Sequence, residues 1–384
     1  MDIGSMIKRE DFYGILKDTI ESYCSEVRDK RASVSFIFED GKENFRVYKL
    51  GGIVSRPNKS RGALEFLLAE YNIRTNWLKY LAGKVLSYLV YYMRSFGAVK
   101  DIFISEGVFG HNELISPQNR SIRFFNYDTR TVDCIIKKGF TDKYFKNQLD
   151  FRKKYNYEFM VPLLASGDNW FREPILKGHP LARVTDDRLY DKGIEDTMRN
   201  ISMLVSDTLE YRDNKSYIAA LVEKAVSLTQ IARKDKAISS FDKCMRLINT
   251  AKKEALSTDV QVPMAMSHGD LQTGNIWCNN DGKVFIYDWE TSGLRSVWYD
   301  SATLLYSLRR PYGWKQFYEN PNPNKVLHCD PNKKRILEEY QVIKSIILLE
   351  DYLFLIEDML ELPQTWGNDI FDENIDRIYN VVFG

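Results

Sequence analysis

The chain has 384 residues, 44% of them hydrophobic and 28% charged. That is enough to bury a core without covalent staples and to form two or three packed units. Lys and Arg number 54 against 53 Asp and Glu, a balance that makes no global electrostatic case for a nucleic-acid partner. Five scattered cysteines without a C-x-x-C pair argue against a disulfide framework and for a reducing compartment. The first dozen residues carry no apolar leader, and the longest apolar run, near Val85 to Met93, falls far short of the roughly 20 residues that span a bilayer. A cytoplasmic protein with no nucleic-acid or membrane partner is expected; the composition leaves the oligomeric state open.

In chain order, residues 6–30 have helical spacing through Ile7, Ile15, Leu16 and Ile20. A hairpin follows, with Val34, Phe36 and Phe38 alternating before Asp40-Gly41, then Phe45 and Val47. Residues 60–96 predict one or two helices. This first block, 1–97, carries no chemical motif. From Ala98 the texture turns to short strands at 101–109, 121–127 and 131–139, then a helix at 142–155, then strands at 158–165 and 170–176. Beyond Gly178-His179-Pro180 helices are predicted at 190–212, 214–232 and 235–256, strand and loop at 264–290, and helix from Trp298 to the end around a Pro-rich loop at 318–331.

The segment richest in chemistry is Ser-His-Gly-Asp-Leu-Gln-Thr-Gly-Asn-Ile at 267–276, followed by Val-Phe-Ile-Tyr-Asp-Trp-Glu at 284–290. The Asn279-Asn280-Asp281-Gly282 turn signal lies between two short apolar runs. A tight hairpin there would bring Asn275 and Asp288 to one end. Moving a phosphoryl group needs a cation held by hard oxygen ligands, and magnesium is the cation of that kind. An Asn carbonyl and an Asp carboxylate could supply them. A separate carboxylate must orient the acceptor hydroxyl, and Asp270 stands on the loop just before Asn275.

His-Gly-Asp-x-x-x-x-Asn followed by Ile-x-Asp-Trp-Glu resembles the aminoglycoside phosphotransferase and choline kinase group, which is protein-kinase-like in fold. The resemblance covers residues 98–384, and its specific part is 267–300. It implies a bilobal α+β fold, with a β-rich N-lobe at 98–178, a mainly helical C-lobe carrying the catalytic loop at 179–384, and an extra segment at 1–97. It implies a phosphotransferase that moves the terminal phosphoryl of ATP or GTP to a hydroxyl of a small molecule of the aminoglycoside, sugar or amino-alcohol class. By that likeness Asp270 is the base, Asn275 and Asp288 hold Mg2+, and His268 holds the loop's shape. Glu290 helps at the metal or acceptor side, and Asp300 supports the loop. The alternative is a kinase-like binding or scaffold protein that has lost catalysis.

A kinase-like N-lobe also needs a strand lysine, an acidic partner on the next helix, and a hinge. Alternation favours Lys137 over Lys138, because Ile135 shares its face. The helix segment has no Glu in the expected place; Asp150 supplies the acid, or Gln148 fills the position without charge. Residues 172–178 resemble the hinge, where Glu173, Ile175 and Leu176 lend backbone groups to the adenine edge. Gly107 to Gly110 offers a turn over the phosphates. Late in the chain Glu350, Glu357 and Glu361 fall on one helical face, either solvated or turned towards a cationic acceptor. Trp277, Trp289 and Trp298 read mainly as core.

Overall fold

The computed structural model describes residues 3–37, 41–71, 77–279, 281–333, 337–362 and 367–384. In chain order the elements begin with α1 (Ile3–Arg9), α2 (Phe12–Val27), β1 (Val34–Ser35), β2 (Lys42–Tyr48), β3 (Ile53–Ser55), α3 (Arg61–Glu70), α4 (Trp77–Tyr92) and β4 (Ala98–Ser105). They continue with β5 (Glu113–Pro117), β6 (Ser121–Asn126), β7 (Thr131–Ile136), α5 (Lys143–Lys154), β8 (Ala165–Ser166), β9 (Trp170–Pro174), β10 (His179–Pro180) and α6 (Asp187–Thr208). Then come β11 (Glu210–Asp213), α7 (Asn214–Ile231), α8 (Phe241–Ala255), β12 (Gln261–Ser267), β13 (Ile276–Cys278), β14 (Val284–Ile286) and β15 (Gly293–Ser296). The chain closes with α9 (Tyr299–Leu305), α10 (Gly313–Glu319), α11 (Pro323–Val326), α12 (Leu337–Glu361) and α13 (Asn368–Phe383). The mixed α+β class is the one expected.

Two compact units divide the chain: residues 1–193 with 277–290, and residues 194–276 with 291–384. These boundaries differ from the expected division at 97/98 and 178/179. Residues 1–97 are woven into the first unit, because β2 pairs with β4 along its length, from Lys42 opposite Ser105 to Tyr48 opposite Ala98. A nine-stranded sheet results, in the order β1-β4-β2-β3-β5-β6-β7-β9-β8. The expected hairpin between 33 and 49 does not form, since β4 lies between β1 and β2; Phe38 and Asp40 of that expectation lie outside the described residues.

Both faces of this sheet are covered. Val47, Val54, Ile115, Ile122, Phe124 and Ile135 pack with Ile3, Met6, Leu16, Ile20 and Tyr23 of α1 and α2. Their strand neighbours Tyr48, Ile53, Leu114 and Phe125 pack with Leu67 of α3 and Val90 of α4. Cys134 and Ile136 pack with Phe145 and Leu149 of α5. Successive strand residues thus go to opposite faces, the period of two that a pleated strand imposes. Strand β5 was not anticipated; its five residues are all buried, so it lacks the alternation that marks a half-exposed strand. The expected helix at 6–30 breaks at Glu10-Asp11, where the Asp11 side chain caps α2 by accepting from the Gly14 amide at 3.2 Å.

In the second unit α12 packs on α7 and α8 beside a three-stranded sheet, β11-β12-β15. The register Met264 opposite Ser296 to Ser267 opposite Gly293 fixes the end of β12, from which the loop at 268–275 springs. β13 and β14 lie side by side in a sheet with β10; Asn280 of the intervening turn lies outside the described residues. Among the described residues no helix is long and apolar enough to cross a membrane. All five cysteines are free and buried.

Candidate functional site

The second unit holds the loop. Gly269 has φ 84°, and a Cβ there would stand 2.3 Å from the Thr291 carbonyl oxygen; only glycine meets both demands. Asp300, buried in the first turn of α9, gathers three donors: the Ser267 hydroxyl at 2.9 Å, the His268 amide at 2.7 Å and the Gly269 amide at 3.1 Å. His268 is fully buried, accepts at Nδ1 from the Asp270 amide at 3.2 Å, and accepts at its carbonyl from the Thr291 hydroxyl at 3.1 Å. These bonds hold the loop in one shape.

Asp270 and Asn275 lie side by side. The Asn275 Nδ2 group donates to the Asp270 carbonyl at 2.9 Å and to Asp270 Oδ2 at 3.2 Å. Gln272 Nε2 donates to the same oxygen at 2.9 Å. The other carboxylate oxygen, Oδ1, accepts from Arg309 Nε at 2.9 Å. Arg309 was not anticipated. Its guanidinium also bonds the Gly269 carbonyl, the Tyr299 hydroxyl and the buried Asp351, and it lies 3.8 Å above the Phe354 ring. Burial alone would lower its pKa, but Asp351, Tyr299 and Asp270 hold it well above the ordinary value. No spacing rule joins Arg309 to a loop 39 residues upstream, so the sequence carried no signal for it.

The acidic stripe of α12 is not one face. Glu350 is buried, accepting from the Ser296 amide at 2.6 Å, the Ser296 hydroxyl at 2.7 Å and the Tyr217 hydroxyl at 2.5 Å. Burial pushes its carboxyl up to about 7 against those three donors. Glu357 instead pairs with Lys224 at 2.5 Å.

The first unit holds the remaining predicted residues. Asp288 follows β14 with φ 69°, a left-handed conformation that costs an L-residue free energy and persists where surroundings impose it. Glu290 Oε1 accepts from Arg120 at 3.1 Å, and its carbonyl accepts from Asn147 Nδ2 of α5 at 2.9 Å. Arg120 stands in the turn between β5 and β6 and covers the Tyr144 ring at 4.3 Å. The Gly107 to Gly110 turn does something else: its Val108 and Phe109 are buried in the core against α2. Trp289 is fully buried and stacks on Phe151 at 4.8 Å, Trp298 is fully buried, and Trp277 donates to the Lys177 carbonyl at 3.0 Å.

Lys137 is 2% exposed and its partner is Glu10, at 2.6 Å. The expected pairing with Asp150 does not occur, for Asp150 is exposed on α5. The reason is strand alternation. Lys137 shares the face of Ile135, which packs on α1 and α2, whereas α5 packs on the face of Cys134 and Ile136. Gln148 is buried on α5, likewise apart from that pair. Glu173 bonds Arg152 at 3.1 Å. The Ile175 amide is spent on the Arg130 carbonyl at 2.8 Å, while the Leu176 amide has no acceptor among the described residues.

No protein-family model and no curated protein sequence matches the chain. Solved structures similar in fold include members of the two kinase types that residues 267–290 resemble. A choline/ethanolamine kinase family protein from Mesorhizobium loti is 12% identical, over 73% of this chain and 90% of that one, with a TM-score of 0.47. An ethanolamine kinase from Plasmodium vivax is 13% identical over 70% and 81%, with a TM-score of 0.46. A thermostable mutant of the aminoglycoside phosphotransferase APH(4)-Ia is 14% identical over 71% and 95%, with a TM-score of 0.48. Likenesses of this size carry no functional weight beside the residues themselves.

Proposed function

We propose that the chain is a phosphotransferase, moving the terminal phosphoryl of ATP or GTP to a hydroxyl of a small molecule of the aminoglycoside, sugar or amino-alcohol class. The observation that carries this is the Asp270 carboxylate, held by Arg309, Gln272 and Asn275 on a loop fixed through His268 to Asp300. A carboxylate oxygen has about two lone-pair sites. One donor, Arg309, uses one site on Oδ1, which leaves Oδ1 able to accept from an acceptor hydroxyl and turn its oxygen towards the phosphorus. In such a reaction the protein's work is mainly positioning and charge stabilisation.

The donor set suits magnesium. Asn275 spends its Nδ2 on Asp270, so its amide oxygen remains for a cation, and Asp288 offers a carboxylate; both are hard oxygen ligands. Among the described residues no cluster of three or more His, Cys, Asp or Glu side chains could hold a metal. That agrees with an ion taken largely by substrate phosphates and only one or two protein groups. Bound there, it would supply neutralisation of the polyphosphate charge. At the hinge the Leu176 amide is the group open to a base edge.

A second reading, a kinase-like binding or scaffold protein without turnover, is favoured by one observation: Lys137 is sealed under Glu10. The deciding experiment is nucleotide turnover by the full chain with Mg2+ and ATP or GTP across aminoglycosides, sugars and amino alcohols. Acceptor-dependent turnover that falls by about 10²–10⁴ in Asp270→Asn, the range for loss of a positioned acid–base group, supports the transferase. Turnover untouched by that substitution sinks the assignment of Asp270, and no turnover with any acceptor favours the scaffold.

A further inference from the structure

The sealing of Lys137 leaves a question of charge. A polyphosphate needs a cation free to meet it, and Lys137 is on the face of α1 and α2, already neutralised by Glu10. On β6 the register puts Arg123 directly opposite Cys134. Ile122 and Phe124, on either side of it, point to α1 and α2, so Arg123 points the other way, to the face of Cys134, Ile136 and α5.

Arg56, Arg123 and Arg152 each have an Nε without a partner, but Arg56 pairs with Glu43 and Arg152 with Glu173 through another guanidinium nitrogen, so Arg123 is the one of the three without an ion pair among the described residues. Its Nε is buried with no hydrogen-bond partner, although buried polar atoms are normally bonded and each exception calls for an explanation. Other arginines of this unit are paired: Arg152 with Glu173, Arg120 with Glu290, Arg9 with Glu10. The carboxylates that favour the charged form of Arg123 against its burial are Glu173 and Asp288. Of these, Glu173 already pairs with Arg152, and Asp288 is the carboxylate held in the left-handed conformation after β14. Arg120, three residues before Arg123 and in the adjoining turn, is bound to Glu290. A guanidinium is planar, permanently charged and offers five donors, the geometry that grips phosphate oxygens two at a time.

We infer that Arg123 of β6 is the phosphate-binding cation of this unit, taking the polyphosphate of the nucleotide on the face of the sheet opposite Lys137, and that Lys137 with Glu10 is a structural pair. This inference rests on the phosphotransferase reading and adds to it the residue that grips the nucleotide's phosphates. The Arg123 Nε donor, without a partner in the protein, is free to bond a phosphate oxygen.

The test is calorimetric binding of MgATP, MgGTP and adenosine to the full chain and to three variants, with a thermal melt to confirm folding. Arg123 Nε has no partner among the described residues to lose, so Arg123→Met is expected to fold; Lys137→Met with Glu10→Gln removes the lysine and its carboxylate together, and the melt checks that Arg9, which also pairs with Glu10, does not unfold the variant. Expected is a rise of at least tenfold in the MgATP or MgGTP dissociation constant for Arg123→Met, with adenosine binding unchanged, and a change under threefold for the Lys137 and Glu10 double variant. Arg123→Lys should recover part of the loss, since charge returns without the planar fork. The reverse pattern, Arg123→Met binding as wild type while the double variant loses the nucleotide, overturns the inference and leaves the phosphotransferase reading standing. Failure of the wild type to bind any of the three ligands overturns both.

Discussion

Two polar clusters, a half-buried one around Asp270 and a buried one around Lys137, are assembled over different distances. The Asp270 cluster is mostly local: Asp270, Gln272 and Asn275 are bonded within one loop, and Asp300 ties the loop to the next helix. The Lys137 pair spans 127 residues and joins the end of a strand to the first helical hairpin of the chain. Local clusters follow from spacing along the backbone, whereas long-range ones follow from which face of a sheet a side chain is given. The difference separates what a motif can announce from what only packing decides.

The largest effect expected from breaking either cluster falls at Arg309, the long-range member of the otherwise local one. Asp351 is 1% exposed and draws on Arg309, the Tyr299 hydroxyl at 3.0 Å and Trp314 Nε1 at 3.2 Å. Arg309→Met leaves that carboxylate buried without its counter-charge, a change that costs about 3–5 kcal/mol when one partner of a buried pair is removed. Urea denaturation measures it. Adding Asp351→Asn to Arg309→Met should recover more than half of the loss, because the uncompensated charge is then gone. An additive double variant would mean that Arg309 acts by packing on Phe354 and not by charge.

A smaller effect is expected from Glu350. Its carboxyl is pushed up to about 7 by burial, against an unfolded value near 4.3. Between those values the folded state holds a proton that the unfolded chain has released, so stability falls as pH rises through this window and levels off above it. The whole change is up to about 4 kcal/mol at roughly 1.4 kcal/mol per unit. In Glu350→Gln the amide keeps the bonds from Ser296 and Tyr217 without titrating. Melting temperatures from pH 4.5 to 8 should therefore slope downwards in the wild type relative to this variant. Parallel curves would place the carboxyl's titration elsewhere.

The sequence made the α+β class, most helices, and the loop at 267–276 legible, because each rests on spacing within one segment. It did not make Arg309 legible, since no periodicity links a loop to an arginine on a later turn. The misplaced hairpin at 33–49 has the same origin: β1 and β2 alternate as paired strands should, but which strand lies between them is decided by β4, more than 50 residues on. Strand β5 was hidden by burial on both faces. The acidic positions of α12 share a spacing and not a fate, because Glu350 meets Ser296 and Tyr217 whereas Glu357 meets Lys224.

The finest separation of the two clusters comes from Asp150 and the Lys137 pair. Asp150 is exposed and removed from Lys137 by strand alternation, so Asp150→Asn should move stability by no more than about 0.5 kcal/mol, as surface substitutions do. Glu10→Gln alone should cost several times that, because it strands a lysine that burial already disfavours as a cation. Replacing Lys137→Met together with Glu10→Gln should recover the part of that cost that is due to the stranded lysine; the part that remains belongs to Arg9, which also pairs with Glu10 at 2.8 Å and keeps its charge in the double variant. Chemical denaturation of the three variants side by side reads all of this. Should Asp150→Asn prove as costly as Glu10→Gln, the helix after β7 would be sharing the lysine after all, and the face argument that sets Arg123 apart from Lys137 would lose its footing.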